Sequence, residues 1–360
     1  MMPKANELDY FGTLERLPTF NPEPKIRGTI RQRSEDFDVS EFLSFQPSGN
    51  GEHLFLLIEK KDCNTDWVAK ELQKQYQLTS REIGYAGKKD RYSLSRQWFS
   101  LHLPGREVSI ADLDHSDFRV LKAIRHNRKL RKGAIAYNRF KLTIRALSAP
   151  LDQDRIASIV EHGFPNYFGY QRFGHHASNL EKAGLLFSSQ IKVRSRNKRG
   201  LYLSAARSYL FNLMLAARVN NGTWNKALPG DCLSVDGSQS YFVCEVVEKD
   251  IQTRLQTGEL HISGWLAGKQ DSETTGEAAE SETIAIANFQ SWRVGLINAK
   301  MDSSRRPMRI MPRNLVVKSE SDDRAVIEFD LPSGAFATSL LRELMVVNDA
   351  KVSAYDKLPC

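Results

Sequence analysis

The amino-acid sequence predicts an α+β protein in which a mixed or antiparallel sheet is combined with separate helices. In the first 150 residues, strand-like segments are joined by short or helical links, without the regular strand–helix alternation of a parallel doubly wound sheet. The composition changes near Pro150, helical segments follow, and strand-like alternation returns after Ala325. With 360 residues the chain is long enough for about two domains.

Strands are predicted where apolar residues occupy every second position or form short runs. Phe140, Leu142, Ile144 and Ala146 alternate with polar residues, which is typical of a half-buried strand. The other strands predicted in the first half of the chain cover residues 53–59, 83–86 and 97–103.

Helices are predicted from apolar residues at i, i+4 spacing and from the capping residues that precede them. Val68, Leu72 and Tyr76 have this spacing, and Asn64 or Thr65 stands before them as an N-cap. Two more helices are predicted, over residues 152–162 and from Ser204, as the cap, to about Val219.

The distribution of charge points to a polyanionic partner. The chain has 51 basic and 43 acidic residues, a net charge of +8 and a pI near 9.2, which is a weak indication alone. Three basic clusters strengthen it, because clustered cations neutralise backbone phosphates. The clusters are Lys122, Arg125, His126, Arg128, Lys129, Arg131 and Lys132; Lys192, Arg194, Arg196, Lys198 and Arg199; and Arg305, Arg306, Arg309 and Arg313. Residues 270–283 carry five acidic residues and no basic one, and we expect a solvated surface loop there.

Several classes of protein are excluded by what the sequence lacks. No apolar run reaches the ~18 residues that a membrane helix needs, so we expect no membrane partner. Residues 1–21 lack the apolar core of a secretory signal. Cys63, Cys232, Cys244 and Cys360 lie far apart and form no C-x-x-C pair, which predicts neither a disulfide framework nor a zinc site and favours the cytoplasm.

No cofactor and no metal are predicted. The chain has no Walker loop and no G-x-G-x-x-G after a strand, so no nicotinamide or Rossmann-type S-adenosylmethionine site is indicated. His175 and His176 lack a third ligand at helical spacing, which favours a structural or solvent-facing role. Side chains alone are therefore expected to carry the chemistry.

The segment Gly84–Arg91 is the most unusual local feature, because one carboxylate lies among three cations. Lys88, Lys89 and Arg91 flank Asp90 and are expected to keep it ionised at neutral pH. An ionised carboxylate beside a sugar can act as nucleophile or base while the cations bind phosphate. The alternative is a local ion pair in an exposed basic loop.

The segment Ile83–Arg91, followed by Arg96–Phe99, closely resembles the signature of the TruD family of tRNA pseudouridine synthases. Further blocks resemble the family in the same order along almost the whole chain. These blocks are Glu35–Glu41, His126–Arg131, Asn138–Phe140, Pro165–Gly174, Arg196–Arg199, Leu203–Ser208 and Leu331–Thr338. Two positions depart from the usual family pattern, with Tyr137 in place of a small residue and Ala335 in place of a frequent serine.

The resemblance implies a cofactor-independent isomerase that converts a uridine, position 13 in the D-arm of tRNA, into pseudouridine. It implies that Asp90 is the catalytic residue, attacking C1′, attacking C6 or removing the 2′ proton. Phe37, Asn138 and Phe336 match positions that contact the target nucleotide, and Phe140 matches the aromatic residue that stacks on uracil. The target base is stacked in folded tRNA and is expected to be flipped out.

The resemblance also implies a V-shaped fold, with a pseudouridine synthase-type catalytic domain over residues 1–155 and 320–360 and an inserted α/β TRUD domain over residues 160–318. We expect a cytoplasmic monomer whose partner is tRNA. The candidate phosphate or RNA contacts are Lys88, Lys89, Arg91, Arg128, Lys129 and Arg131.

Two other functions compete with this interpretation. A non-catalytic RNA-binding or tRNA-folding factor would also use basic clusters and aromatic residues, but it would not need the intact Gly87–Asp90 loop. An RNA methyltransferase is disfavoured because the sequence contains no cofactor signal.

Overall fold

The structure is a computed structural model that describes residues 9–108, 115–238 and 240–351. It forms two compact units, each assembled from segments that are separate in the sequence. Among the described residues, the sheet unit comprises 25–108, 115–152, 312–337 and 344–351, and the helical unit comprises 9–24, 153–238, 240–311 and 338–343. Cys360, and residues 1–8 and 352–360 of the predicted catalytic domain, lie outside the described residues.

The sheet unit is built around an eight-stranded sheet with the order β14-β15-β7-β2-β5-β3-β6, in which β4 also pairs with β5. The named strand pairs of this sheet are antiparallel except β2 with β5, and β1 and β16 form a separate parallel pair. The strands are β1 (Arg27–Ile30), β2 (Phe37–Leu43), β3 (His53–Lys61), β4 (Ile83–Tyr85), β5 (Leu94–His102), β6 (Phe118–His126), β7 (Ile135–Ile144), β14 (Arg313–Ser321), β15 (Arg324–Pro332) and β16 (Val346–Asp349).

One helix, α2 (Thr65–Tyr76), covers part of this sheet. It begins after Asn64, and its buried Val68 and Leu72 pack in one cluster with strand residues such as Phe99. This confirms the predicted helix and the predicted strands at 53–59, 83–86 and 97–103. Strand β7 is also confirmed, although Ala146 lies beyond its end, exposed and with a positive φ of 50°.

Gly84 lets strand β4 approach the segment that follows β6. A Cβ atom at this position would lie 2.4 Å from the carbonyl oxygen of Leu130 and 2.6 Å from Oγ of Ser100. The same Oγ accepts a hydrogen bond of 3.0 Å from the backbone N–H of Leu130. Because a side chain at position 84 would clash with backbone, only glycine allows these three residues to pack as they do.

The helical unit combines most of the helices with a four-stranded antiparallel sheet of order β10-β9-β11-β12, and a short antiparallel pair joins β8 to β13. The strands are β8 (Phe164–Pro165), β9 (Asp231–Val235), β10 (Tyr241–Cys244), β11 (Leu260–Leu266), β12 (Ser304–Pro307) and β13 (Arg309–Ile310). The helices are α1 (Tyr10–Glu15), α3 (Gln153–His162), α4 (Ser178–Phe187), α5 (Arg196–Asn220), α6 (Lys249–Gln256), α7 (Gly276–Ala285), α8 (Gln290–Asn298) and most of α9 (Ala337–Leu344). No helix among the described ranges is both long and apolar enough to cross a membrane.

Helix α5 begins eight residues before the predicted cap, so the predicted start at Ser204 is wrong. The N-cap is Ser195, whose hydroxyl accepts the N–H of Lys198 at 3.4 Å. Ser204 lies inside the helix, where its hydroxyl accepts a hydrogen bond from Arg172. The extension was missed because its first turn is basic rather than apolar.

The acidic stretch is not the solvated loop that its composition predicts. Residues from Gly276 onward form α7, and the side chain of Glu282 is only 10% exposed. Its carboxylate lies 3.1 Å from the guanidinium of the equally buried Arg305 and accepts a 2.9 Å hydrogen bond from Thr274. The charge of Glu282 is therefore neutralised inside the unit.

The third predicted basic cluster does not form an exposed phosphate-binding face, because three of its members contact protein groups. Arg305 pairs with Glu282, and Arg309 is buried and donates to the carbonyl oxygen of Leu260 at 3.2 Å. The guanidinium of Arg306 lies 4.1 Å from the ring centre of Phe168. Burial lowers the pKa of Arg306 to about 9 and that of Arg309 to about 10.

Candidate active site

The loop that carries Asp90 joins β4 to β5 and is held by buried polar side chains. The N–H of Lys89 donates to Oγ1 of Thr65 at 3.0 Å, and this hydroxyl donates to Oε1 of Gln97 at 2.8 Å. Nε2 of Gln97 donates to the carbonyl oxygen of Gly87 at 2.6 Å. Side chains from α2 and β5 thus fix the backbone on which the Asp90 carboxylate is mounted.

The carboxylate of Asp90 is paired with a buried arginine from another part of the chain. Nη2 of Arg31 lies 2.8 Å from Oδ2 of Asp90, and the arginine side chain is 3% exposed while the aspartate is 35% exposed. Arg31 also pairs with Asp349, and its guanidinium lies 3.9 Å from the ring centre of Phe37. Sequence reasoning missed Arg31, which lies 59 residues before Asp90 in the chain. The residue is distinguished by a positive φ of 56°, but a single sequence does not reveal a backbone angle.

The three cations beside Asp90 in the sequence make contacts of their own. Lys88 Nζ lies 2.6 Å from Oδ2 of Asp66, Lys89 Nζ lies 2.5 Å from Oε1 of Glu41, and Arg91 Nε donates to the carbonyl oxygen of Asp62 at 3.3 Å. Arg31, which is distant from Asp90 in the sequence, is therefore a cation that contacts the catalytic candidate directly.

Two of the predicted aromatic residues lie together on one face of the sheet. The rings of Phe37 and Phe140 meet edge to face with centres 6.1 Å apart, and Phe140 stacks on Phe329 at 5.3 Å. Strand register explains the arrangement, since Phe140 lies opposite Phe329 on β15. Because Arg31 contacts both Asp90 and Phe37, the carboxylate and the aromatic group form one continuous site.

Asn138 completes this face of the sheet. It lies two residues before Phe140 on β7, opposite Glu41 on β2 and Leu331 on β15. Its side chain is buried, and its Oδ1 has no hydrogen-bond partner among the described residues. A buried carbonyl oxygen without a donor is costly, and this oxygen is free to accept a hydrogen bond from a bound group.

A buried lysine near the end of β3 lies on the same face of the sheet, and sequence reasoning missed it. Lys60 on β3 is opposite Ser95 on β5, is 1% exposed, and donates from Nζ to the carbonyl oxygen of Cys63 at 2.7 Å. Burial lowers the pKa of Lys60 to about 8, although the negative charge of Asp90 acts in the opposite direction. The available signal was a lysine at the end of the apolar run that begins at His53.

Glu41 is the second buried charge of this face. Burial raises the pKa of its carboxyl group, and the pairing with Lys89 opposes that rise. Because Lys89 precedes Asp90 and Glu41 lies opposite Asn138, this ion pair links the two predicted site residues across the sheet.

The remaining predicted residues lie after the ends of β15 and β6. Phe336 is half-buried on the turn after β15, beyond Leu331, which is opposite Asn138. Residues 128–131 follow the end of β6, where His126 lies opposite His53 at the start of β3. Lys60 is near the other end of β3, so these basic residues and Asp90 occupy opposite ends of the sheet.

Among the residues that the structure describes, no three His, Cys, Asp or Glu side chains are grouped so that they could hold an ion. The rings of His175 and His176 meet each other edge to face at 4.1 Å.

Comparison with known proteins identifies relatives over nearly the full chain. The family model described as tRNA pseudouridine synthase D (TruD) matches residues 19–188 and 177–344. The tRNA pseudouridine synthase D of Methylococcus capsulatus is 42% identical over 332 residues, covering 91% of this chain and 94% of the relative. That of Aeromonas salmonicida is 38% identical over 339 residues, covering 94% of this chain and 96% of the relative.

A solved structure has the same fold. A crystal structure assigned to tRNA pseudouridine synthase D (TruD) of Methanosarcina mazei superimposes with a TM-score of 0.67 at 20% identity, covering 94% of this chain and 98% of that one. This likeness confirms the predicted α+β class with its mixed sheet. The family match and the sequence identities together show that the chain belongs to the TruD family of tRNA pseudouridine synthases.

Proposed function

We propose that this protein isomerises uridine to pseudouridine in tRNA, with Asp90 as the catalytic residue. The observation that carries the proposal is a partly exposed carboxylate, held by the buried Arg31 next to the ring of Phe37. Membership of the family supports it, because the relatives from Methylococcus capsulatus and Aeromonas salmonicida are named tRNA pseudouridine synthase D. A non-catalytic RNA-binding factor would have no use for a carboxylate on so firmly built a loop.

The reaction exchanges one bond of the ribose carbon C1′ for another. The bond from C1′ to N1 breaks, the detached uracil turns, and a bond from C1′ to C5 forms; C5 loses its proton and N1 gains one. Asp90 attacks C1′, attacks C6 or removes the 2′ proton, and each route needs its ionised form. Arg31, at 2.8 Å, stabilises that anion.

The aromatic face and Asn138 are suited to hold the everted base. Flipping a base out of its stack costs a few kcal/mol, and stacking on an aromatic ring returns about 1–3 kcal/mol. Phe140 offers such a ring and does not fix the in-plane orientation of the base, which must turn during the reaction. The unpartnered Oδ1 of Asn138 is suited to accept the N3–H of uracil. Phe37 and Phe336 are proposed as further contacts to the nucleotide.

The proposal includes the finer features that the family resemblance implies. The target is uridine 13 in the D-arm, and the protein acts as a cytoplasmic monomer without a cofactor. The described cysteines, Cys63, Cys232 and Cys244, are free thiols, which suits a reducing compartment. Light scattering of the purified protein tests the monomer.

The direct test is to incubate the purified protein with unmodified total tRNA and to map pseudouridine by sequencing. We expect new pseudouridine at position 13 of a subset of tRNAs. If the protein binds these tRNAs without forming pseudouridine at any position, the proposed activity is wrong and the RNA-binding alternative replaces it.

A further inference from the structure

A cavity of about 820 Å³ opens in the sheet unit at the end of the sheet where β3 begins and β6 ends. We call it the basic groove; its lining includes Phe45, His126, Arg128, Leu130 and Arg131. Its volume lies within the roughly 300–1,000 Å³ of sites that hold small ligands. The function described so far makes no use of this cavity.

The interior of the basic groove is aromatic and apolar. The ring of Phe45 stacks on the imidazole of His126 with centres 4.9 Å apart and planes 24° apart, and both rings contact Phe55 edge to face. Leu130 is buried beside them. Burial and the charge of Arg128 lower the pKa of His126, so its ring is neutral at pH 7 and offers a stacking surface rather than a charge.

The edge of the groove carries exposed cations. Arg128 and Arg131 are exposed, and their guanidinium groups make no ion pair or hydrogen bond with the described residues. Lys129, between them, is different because its Nζ donates to the carbonyl oxygen of Arg81 at 2.6 Å. The two arginines are therefore available to an anion, whereas the lysine is engaged by the fold.

We propose that the basic groove binds an unpaired nucleotide of the RNA substrate, with its base against Phe45 and His126 and its phosphate on Arg128 and Arg131. Aromatic rings beside cations are the combination that binds single-stranded nucleic acid, because every base can stack and every nucleotide carries a phosphate. The inference rests on the proposed function, since it assigns a second contact on the same RNA.

The groove and Asp90 contact different parts of that RNA. Strand β5 begins beside the Asp90 loop and ends at His102, whose ring lies 4.8 Å from that of His53 in the groove lining. The strand spans eight residue steps, which corresponds to roughly 25 Å. The nucleotide in the groove is therefore several nucleotides away from the uridine at Asp90. It contributes to the affinity for the RNA and to its placement, and takes no part in the reaction.

The experiment measures binding of a fluorescently labelled tRNA transcript as a function of salt. The double variant Arg128→Ala/Arg131→Ala is expected to bind roughly tenfold or more weakly. Its plot of log affinity against log salt is expected to be shallower by about one for each lost phosphate contact.

A matched control removes two exposed lysines of the same unit, Lys74→Ala/Lys318→Ala, and is expected to bind like the wild type. If the arginine variant binds with the same affinity and salt slope as this control, the groove does not bind RNA. The variant Phe45→Leu, checked for a wild-type melting curve, is expected to weaken binding without changing the salt slope. Unchanged affinity of this variant would contradict the placement of a base in the groove.

The test separates this inference from the proposed function. Binding and salt slope report on the groove, while pseudouridine formation by the same preparations reports on Asp90. Wild-type protein that binds through the groove but forms no pseudouridine contradicts the activity alone. Variants that form pseudouridine and bind like the wild type contradict the groove alone.

Discussion

One buried arginine in each of the two units pairs with an aspartate, and the two pairs differ in how far the aspartate is exposed. In the helical unit, Arg218 and Asp231 form an ion pair through two contacts of 3.0 and 2.8 Å, with both side chains less than 5% exposed. In the sheet unit, Arg31 is just as buried, but its partner Asp90 keeps about a third of its side chain exposed. The first pair is closed to any other molecule, and the second is open on its carboxylate side.

This difference separates a structural from a chemical use of charge. A closed pair must satisfy all its hydrogen bonds internally, and Arg218 does so by also donating to the carbonyl oxygens of Thr223 and Lys226. In an open pair, such as Arg31 with Asp90, the carboxylate is exposed while the buried arginine neutralises its charge. We expect the stability of the protein to depend on the closed pair, Arg218 with Asp231, and its turnover to depend on the open pair, Arg31 with Asp90.

The largest effect is expected from Asp90→Asn. The variant loses the ionised carboxylate but keeps its shape, so the rate of pseudouridine formation in single-turnover assays falls by at least about 10²-fold. Binding of tRNA and the melting curve remain close to wild type. The control is Asp66→Asn, which makes the same change on an exposed carboxylate paired with Lys88 and should leave the rate unchanged. A rate near wild type for Asp90→Asn would remove Asp90 from the mechanism.

The second effect is on stability. Arg218→Met leaves the Asp231 carboxylate buried without its partner, and the free energy of unfolding in urea is expected to fall by about 3–5 kcal/mol. The rate of pseudouridine formation per folded molecule should not change. Arg254→Met, which removes the cation of an exposed pair with Glu259 in the same unit, should cost at most about 1 kcal/mol. If the two variants lose the same free energy of unfolding, burial of the ion pair does not increase its contribution to stability.

A smaller effect on turnover is expected from Phe140→Leu. Leucine keeps most of the apolar contact with Phe329 but removes the aromatic face, so about 1–3 kcal/mol of stacking on the base is lost. This corresponds to a five- to 150-fold slower rate at saturating tRNA, roughly. Phe329→Leu is the matched control on the neighbouring strand. If both variants turn over at the wild-type rate, Phe140 belongs to the core alone.

A further effect is expected on the pH dependence of stability. The pKa of Lys60 is about 8 in the folded protein against an ordinary value of 10.5, and Asp90, Lys89, Glu41 and Cys63 are the charged or titratable groups that act on it. Between these two values the unfolded chain binds more protons than the folded protein, so stability rises with pH. Below pH 8 the lysine is charged in both states and its burial opposes folding in full.

The variant Lys60→Met tests this sign. Urea denaturation from about pH 7 to about pH 10 should show a rise in stability for the wild type that is weaker in the variant. Equal slopes would contradict the depressed pKa of Lys60.

Local patterns in the sequence predicted the secondary structure well where one face of an element is buried. The i, i+4 spacing of Val68 and Leu72 placed α2, and alternation around Leu142 placed β7, because these periods reflect the geometry of the elements themselves. The start of α5 was mispredicted because its first residues are exposed and largely basic rather than apolar. The helix at Glu282 was mispredicted because the partner of this carboxylate, Arg305, lies in another element.

The site was predicted from the sequence only in part. Motifs proposed Asp90 and the aromatic residues as site candidates. They did not indicate Arg31 or Glu41, because the ion-pair partners of these residues, Asp90 and Lys89, are distant in the chain. A run of basic residues likewise does not reveal which members are buried, as the contrast between Arg305 and Arg128 demonstrates. Charge partners across a sheet follow from register, which a single sequence does not specify.

The missing side chain of Gly84 has a mechanical consequence. Because a Cβ atom at position 84 would lie 2.4 Å from the carbonyl oxygen of Leu130, the strand that leads to the Asp90 loop packs directly against a segment that lines the basic groove. If RNA binds in the groove as proposed, its position there is set relative to this strand. The variant Gly84→Ala would push the two segments apart and is expected to disturb both the groove and the Asp90 loop.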